Sequence, residues 1–167
     1  MKATLLNTFG EIRISGAKIK YHNFAGVETD MNNEGSRNFE IEIPDEDVAE
    51  LLKEWGYYVK YPEPKDITAN NVIIPRLKIQ VKYRYRDGRP SKTPPTIHYI
   101  ELGPDGNAEV DEVMTEEDLG KLDDADIQYC DLDIRRWEYS PGRYSAYAKK
   151  VYVIGEADYY AQKYGRK

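Results

Sequence analysis

Cysteine, histidine and long apolar runs are what this sequence has least of. Its one cysteine, Cys130, excludes an intrachain disulfide and gives no reason to expect an oxidising compartment. No stretch nears the roughly 20 consecutive apolar residues that span a bilayer. Met1 to Phe9 lacks the apolar core and cleavage site of a secretory signal, so a cytoplasmic protein with no membrane role is expected. The two histidines, His22 and His98, fall in separate predicted strands, far from other metal-type ligands. Cys130 has no histidine or CxxC neighbour and reads as a small apolar packing residue. GxGxxG, GxxxxGK and GxSxG motifs are all missing, so no catalytic residue, cofactor or metal is expected.

One acidic pair qualifies that statement. Asp131 and Asp133 alternate on a predicted strand, share a face, and lie close to Asp123, Asp124 and Asp126. Paired carboxylates can hold a divalent metal for nuclease chemistry. The competing reading is a solvated acidic face, and the near absence of lysine around the pair favours it.

The 167 residues contain no internal repeat and no linker-like run, which gives one domain over 1–167. Strands are predicted over Glu11–Phe24 with a bend or bulge at Gly16, over Arg37–Ile43 after a polar loop at Glu28–Ser36, and over Tyr57–Tyr61. A helix opens at Pro44-Asp45, repeats Val48, Leu51, Leu52 and Trp55 at helical spacing, and stops at Gly56. Asp66–Asn71 reads as a loop. Ile73–Arg86 is the clearest strand, with Leu77, Ile79, Val81, Tyr83 and Tyr85 on one face and Arg76, Lys78, Gln80, Lys82, Arg84 and Arg86 on the other. Thr96–Leu102 is a further strand. Thr115 with Asp118 opens a short helix, Ile127–Trp137 and Ser145–Ile154 form a hairpin around Ser140-Pro141-Gly142, and a helical tail covers about 156–167. The pattern is all-β to α+β: an antiparallel fold or small barrel with short helices and extended loops.

The formal charge of -6 conceals segregation. From Arg76 to Lys92 seven basic residues face Asp87 alone, a balance of +6; Glu101 to Asp133 holds thirteen acids and only Lys121, or -12; from Arg135 onward eight basic residues stand against Glu138, Glu156 and Asp158, or +5. Fifteen of the twenty aromatic residues are tyrosine, whose hydroxyl lets a ring remain at a wet surface. Cations and tyrosines interleave at Lys18–Phe24, Tyr57–Tyr61, Lys82–Arg86 and Tyr147–Tyr152. Tyrosine also favours strands and lysine often only solubilises an outer face, but five cations on one strand face repel one another and point to an anionic partner. Single-stranded nucleic acid fits: cations follow the phosphates and flat rings stack the bases. Lys60, Arg76, Lys78, Lys82, Arg84, Arg86 and Lys149 are the candidate cations. Trp55 belongs to the helix's apolar stripe, whereas Trp137, beside Arg135 and Arg136, is a candidate for stacking.

Gly16-Ala-Lys-Ile-Lys-Tyr-His-Asn-Phe-Ala-Gly26, Gly35-Ser-Arg-Asn-Phe39, Trp55-Gly56-Tyr57 and Asp131-Leu-Asp-Ile134 resemble bacteriophage single-stranded DNA-binding proteins of the OB-fold type, over about Gly16 to Ile154. The resemblance implies a five-stranded OB-type barrel that coats single strands in phage replication and recombination, without sequence preference or catalysis, in the host cytoplasm. It also implies contacts from Lys18, Lys20, Tyr21, Phe24 and Arg37. Many members end in an acidic tail that recruits replication proteins; here the sequence ends Tyr164-Gly-Arg-Lys167 and the acidic stretch is internal, so two readings stand: segment 101–133, chiefly Glu109 to Asp126, recruits replication or recombination proteins, or it is simply an exposed loop. Two rival functions arise from the residues: an interaction module or inhibitor whose acidic segment mimics nucleic acid, and a metal-dependent nuclease using Asp131 and Asp133.

Overall fold

Ten strands hydrogen-bonded into one sheet, one α-helix and a 3-10 segment make up the regular structure of the described residues, 1–30, 32–63 and 73–156, of this computed structural model. In chain order they are β1 (Lys2–Leu5), β2 (Ile12–Ala17), β3 (Ile19–Asn23), β4 (Arg37–Glu42), α1 (Glu46–Glu54), β5 (Val59–Lys60), β6 (Arg76–Val81), β7 (Thr96–Leu102), β8 (Ala108–Met114), the 3-10 segment Leu119–Asp124, β9 (Ile127–Ser140) and β10 (Arg143–Gly155). The chain is thus mostly β-sheet with few helices. Its sheet holds ten strands where five were expected. The expected loop at Asp66–Asn71 and most of the expected helical tail lie outside the described residues. No helix among those residues is long and apolar enough to cross a membrane.

Strands β2 and β3 are one run of chain broken only at Lys18. Gly16, at φ 69°, marks a register shift between Ile14 and Ala17, so the bend expected there is present. Before the bend β2 pairs with β9; after it β3 pairs with β4. β4 pairs antiparallel with β6, β6 parallel with β10, and β10 antiparallel with β9 along most of its length. The second half of β10 also pairs with β7, which carries β8 on its far side.

The two-residue period sorts side chains to opposite faces. Ile12, Ile14, Phe39, Ile41, Leu77, Ile79, Leu132, Ile134, Val151 and Val153 point into one apolar core. Fully burying each such side chain stabilises by roughly 1.5–3 kcal/mol relative to exposure. Helix α1 covers part of this core with Val48, Ala49 and Leu52; the Asp45 side chain caps it by accepting from the Asp47 amide at 2.9 Å.

Three elements depart from the sequence expectations. β6 stops at Val81, level with the start of β4 at Arg37, and residues 82–91 close on themselves through Tyr85 N to Arg89 O and Ser91 N to Tyr83 O, each 2.8 Å. Alternation continues in the sequence past Val81, but a strand needs a neighbour to satisfy its backbone, and β4 has ended. β1 and β8 were not anticipated, because Lys2–Leu5 is a four-residue edge and β8 (AEVDEVM) interrupts its apolar positions with acids.

Candidate nucleic-acid interface

Residues directly opposite on paired strands share a face, so the registers assemble the outer surface of the sheet row by row. One row reads Asn38 on β4, Gln80 on β6, Tyr147 on β10 and Arg135 on β9. The neighbouring row carries Glu40 and Lys78, with Ser145 and Trp137 opposite each other on β10 and β9. β5 sets Lys60 opposite Arg76, and Tyr58 two residues before it is 67% exposed. Tyr58, Lys78, Gln80, Tyr139, Tyr144 and Ser145 line a depression of about 150 Å³ on this face.

Aromatic rings stand among the cations here. Trp137, 57% exposed, lies parallel to Tyr147, with centroids 6.3 Å apart and planes 9° from coplanar. The Arg135 guanidinium sits 5.9 Å from the Tyr147 centroid, and burial pushes the Tyr147 hydroxyl above its ordinary pKa. At the other margin Tyr21 is 66% exposed and holds a left-handed backbone, φ 50°, which costs a non-glycine residue on the order of 1–3 kcal/mol. Arg76 packs 4.7 Å from the Tyr21 centroid. Tyr21, His22, Asn38, Glu40, Lys60 and Lys78 line a groove of about 560 Å³.

In the sequence five cations repel one another on one strand face. The fold places an acid of β4 beside the two that are on β6: Arg76 Nε lies 3.7 Å from Glu40, which is directly opposite Lys78; on β3, Lys20 Nζ likewise lies 3.6 Å from Glu42. Lys60, Lys78 and Arg135 make no ion pair among the described residues. Lys82, Arg84 and Arg86 are not on the strand at all. They stand on the turn after β6, where with Arg37, Tyr83 and Glu116 they line a second groove of about 560 Å³. Arg84 there is engaged by both Glu116 carboxylate oxygens, at 3.1 and 3.3 Å. Tyr83 packs against the core, and burial raises its hydroxyl to about 12.

The remaining candidates divide. Lys18 is exposed at the bend, where its carbonyl accepts from the Glu42 amide at 3.0 Å. Arg37 donates from Nη1 to the Phe24 carbonyl. Lys149 donates to Glu11 at 2.9 Å, and this bond holds the Glu11 carboxyl below its usual pKa. Phe24 is the correction: it is 0% exposed and packs on Phe39 at 5.3 Å, so it offers no face to a base. Its amide and that of Ala25 both donate to Asp123, which also meets His22 Nδ1 at 2.8 Å, so the motif around Phe24 fastens the loop after β3 to the 3-10 segment. Tyr58, Tyr139, Tyr147 and Arg135 also stand on this face and are not among the candidates named from the sequence. The spacing Arg135-x-Trp137-x-Tyr139 on one strand already placed two of them with Trp137 on a shared face.

Asp131 and Asp133 do share a face, as expected, but each is engaged. Asp133 receives two bonds from the Arg13 guanidinium, at 2.8 and 3.0 Å, and Asp131 accepts from the Gly16 amide at 2.8 Å. Cys130 is fully buried and its thiol pKa is pushed up by burial.

The acidic segment becomes the β7–β8 hairpin, the 3-10 segment and the start of β9. Among the described residues β8 pairs only with β7, which leaves its other edge open, and Glu109, Asp111, Glu112 and Val113 are exposed.

Comparison with known proteins adds three findings. Residues 2–166 match the family model described as "Putative phage ssDNA-binding domain". Among solved structures, the fold is similar to the single-stranded DNA-binding protein from bacteriophage Enc34 in complex with ssDNA, with a TM-score of 0.50 and 11% identity over 90% of this chain and 89% of that one. No curated protein sequence matches.

Proposed function

From the premise that the chain belongs to this phage single-stranded DNA-binding family, we propose that it binds single-stranded DNA across the outer face of β4, β6, β10 and β9. The observation that carries the location is the set of cations and parallel rings, Lys60, Lys78, Arg135, Tyr147 and Trp137, on adjoining rows of one side of the sheet. Charge on such a face follows phosphates and the rings stack bases without regard to sequence.

The finer architecture supports the same placement. If β2 and β3 are counted as one bent strand, the pairing runs β2/β3 to β4, β6, β10, β9 and back to β2, with β6 and β10 parallel. We read that circuit as a five-stranded OB-type barrel to which β1, β5 and the β7–β8 hairpin are additions. Barrels of this type bind nucleic acid on the face of their second and third strands, here β4 and β6. The reading is non-enzymatic: the carboxylates of the rival nuclease model are held by Arg13 and Gly16. Coating of strands during replication or recombination in a host cytoplasm, with the acidic hairpin recruiting protein partners, completes the proposal.

The test is anisotropy titration of oligo-dT and of a mixed-sequence duplex, at low and moderate salt. Tight, salt-sensitive binding of dT with weak duplex binding is expected, and Trp137→Ala should cost roughly 1–3 kcal/mol of dT affinity. Failure to bind dT at low salt overturns the proposal.

A further inference from the structure

Phe9 is the most exposed of the large apolar side chains among the described residues, at 78%, yet both its amide and its carbonyl are hydrogen-bonded. It sits in the turn between β1 and β2. The Asn7 side chain accepts from the Phe9 amide at 3.0 Å and from the Glu11 amide at 3.3 Å, and donates to Glu11 Oε2 at 2.8 Å. Arg136 Nε donates to the Phe9 carbonyl at 3.1 Å while its Nη1 donates to the Trp55 carbonyl at 2.9 Å. The buried Tyr57 hydroxyl donates to the Gly10 carbonyl at 2.7 Å. Gly10 has φ 84°, and a Cβ there would stand 2.6 Å from Arg136 Nε, so glycine is required for the approach. Hydrogen bonds from three sides therefore fix the backbone that carries this exposed phenyl group.

Its position is the second observation. β2 pairs with β9 up to Ile12 and Ile134, and beyond that pair the Arg136 bond to the Phe9 carbonyl and the Lys149 bond to Glu11 tie the β1–β2 turn to the stretch of β9 and β10 that carries Arg135, Arg136 and Trp137. Phe9 thus stands on a turn bonded to Arg136, the residue before Trp137, with Lys149 bonded to Glu11 two residues away.

We infer that Phe9 is a stacking residue for single-stranded DNA, extending the aromatic track of the sheet by one base beyond Trp137 onto the β1–β2 turn. The inference rests on the proposed function and names a contact that the family motif residues do not include. An exposed apolar ring on a backbone already fixed, in a turn tied to Arg136 and Lys149, offers a flat face to a base with little backbone left to order, whereas a protein surface would need a wider apolar patch.

The experiment measures affinity of the full chain and of Phe9→Ala, Phe9→Leu and Phe9→Trp for oligo-dT of increasing length, with thermal unfolding as a control. The wild type should gain affinity when a strand becomes long enough to reach the turn. Phe9→Ala and Phe9→Leu should bind short strands as the wild type does, miss that gain, and end about tenfold weaker on long strands. Phe9→Trp should retain it. The inference is overturned if Phe9→Ala equals the wild type at every length, if it loses equally at every length, or if leucine serves as well as tryptophan, which would mark an apolar protein contact. In each of these cases wild-type binding leaves the proposed function standing; absence of wild-type binding removes both.

Discussion

The outer face of β4, β6, β10 and β9 and the β7–β8 hairpin grow from the same strand, β10, and carry opposite charge. The first half of β10 pairs with β6 and shares the face of Lys78, Arg135 and Trp137; its second half pairs with β7, beyond which Glu109, Asp111 and Glu112 lie on an open edge. The first region mixes signs at close range, with Glu40 and Glu42 beside Arg76 and Lys20, whereas Glu101 to Asp118 contains eight acids and no basic residue. A net charge of -6 describes neither. Screening over about 8–10 Å at ordinary ionic strength lets a strand of DNA sense the local face rather than the sum.

The largest effect expected from breaking this contrast is on the face. Lys60→Ala, Lys78→Ala and Arg135→Ala together remove about three phosphate contacts, which should lower dT affinity by roughly two orders of magnitude at moderate salt and flatten the log–log salt slope by about 2. Titration across salt concentrations reads both; an unchanged slope would place the DNA elsewhere. A smaller loss, about tenfold with a slope change near 1, is expected for Lys82→Ala, Arg84→Ala and Arg86→Ala, because Glu116 already neutralises Arg84. If the turn variant loses as much as the face variant, the turn belongs to the main track. The smallest change should come from the hairpin. Glu109→Gln, Asp111→Asn and Glu112→Gln together should alter equilibrium affinity by less than about threefold while speeding association at low salt, as stopped-flow quenching would record. A large loss of affinity in that variant would mean that the acidic edge takes part in DNA binding.

Much of the fold was legible because it depends on local periodicity. Alternation in Ile12–Ile14, Leu77–Val81 and Thr96–Leu102 marked strands, and Asp45 with Gly56 bounded the helix. The proposed face was legible in part. Lys78, Lys60, Tyr21 and Trp137, named from cation and aromatic interleaving or from the resemblance, are exposed on it, but Phe24 looked like part of the same pattern and is core, since a short motif does not reveal which side of the sheet a bend turns inward. Lys82, Arg84 and Arg86 continued the alternation past the end of their strand, and only the length of β4 shows where it stops.

The sequence by itself determined the β-rich class, the absence of an intrachain disulfide, the segregation of charge and the surplus of tyrosine, since each comes from composition or from neighbours along the chain. Tertiary structure alone decided which cations are neutralised, that Arg135, Tyr147 and Lys78 share one surface, and that the turn carrying Phe9 is tied to Arg136 on β9. Those facts depend on strand pairings between residues far apart in the chain, and register across such distances is set by the packing of the whole core.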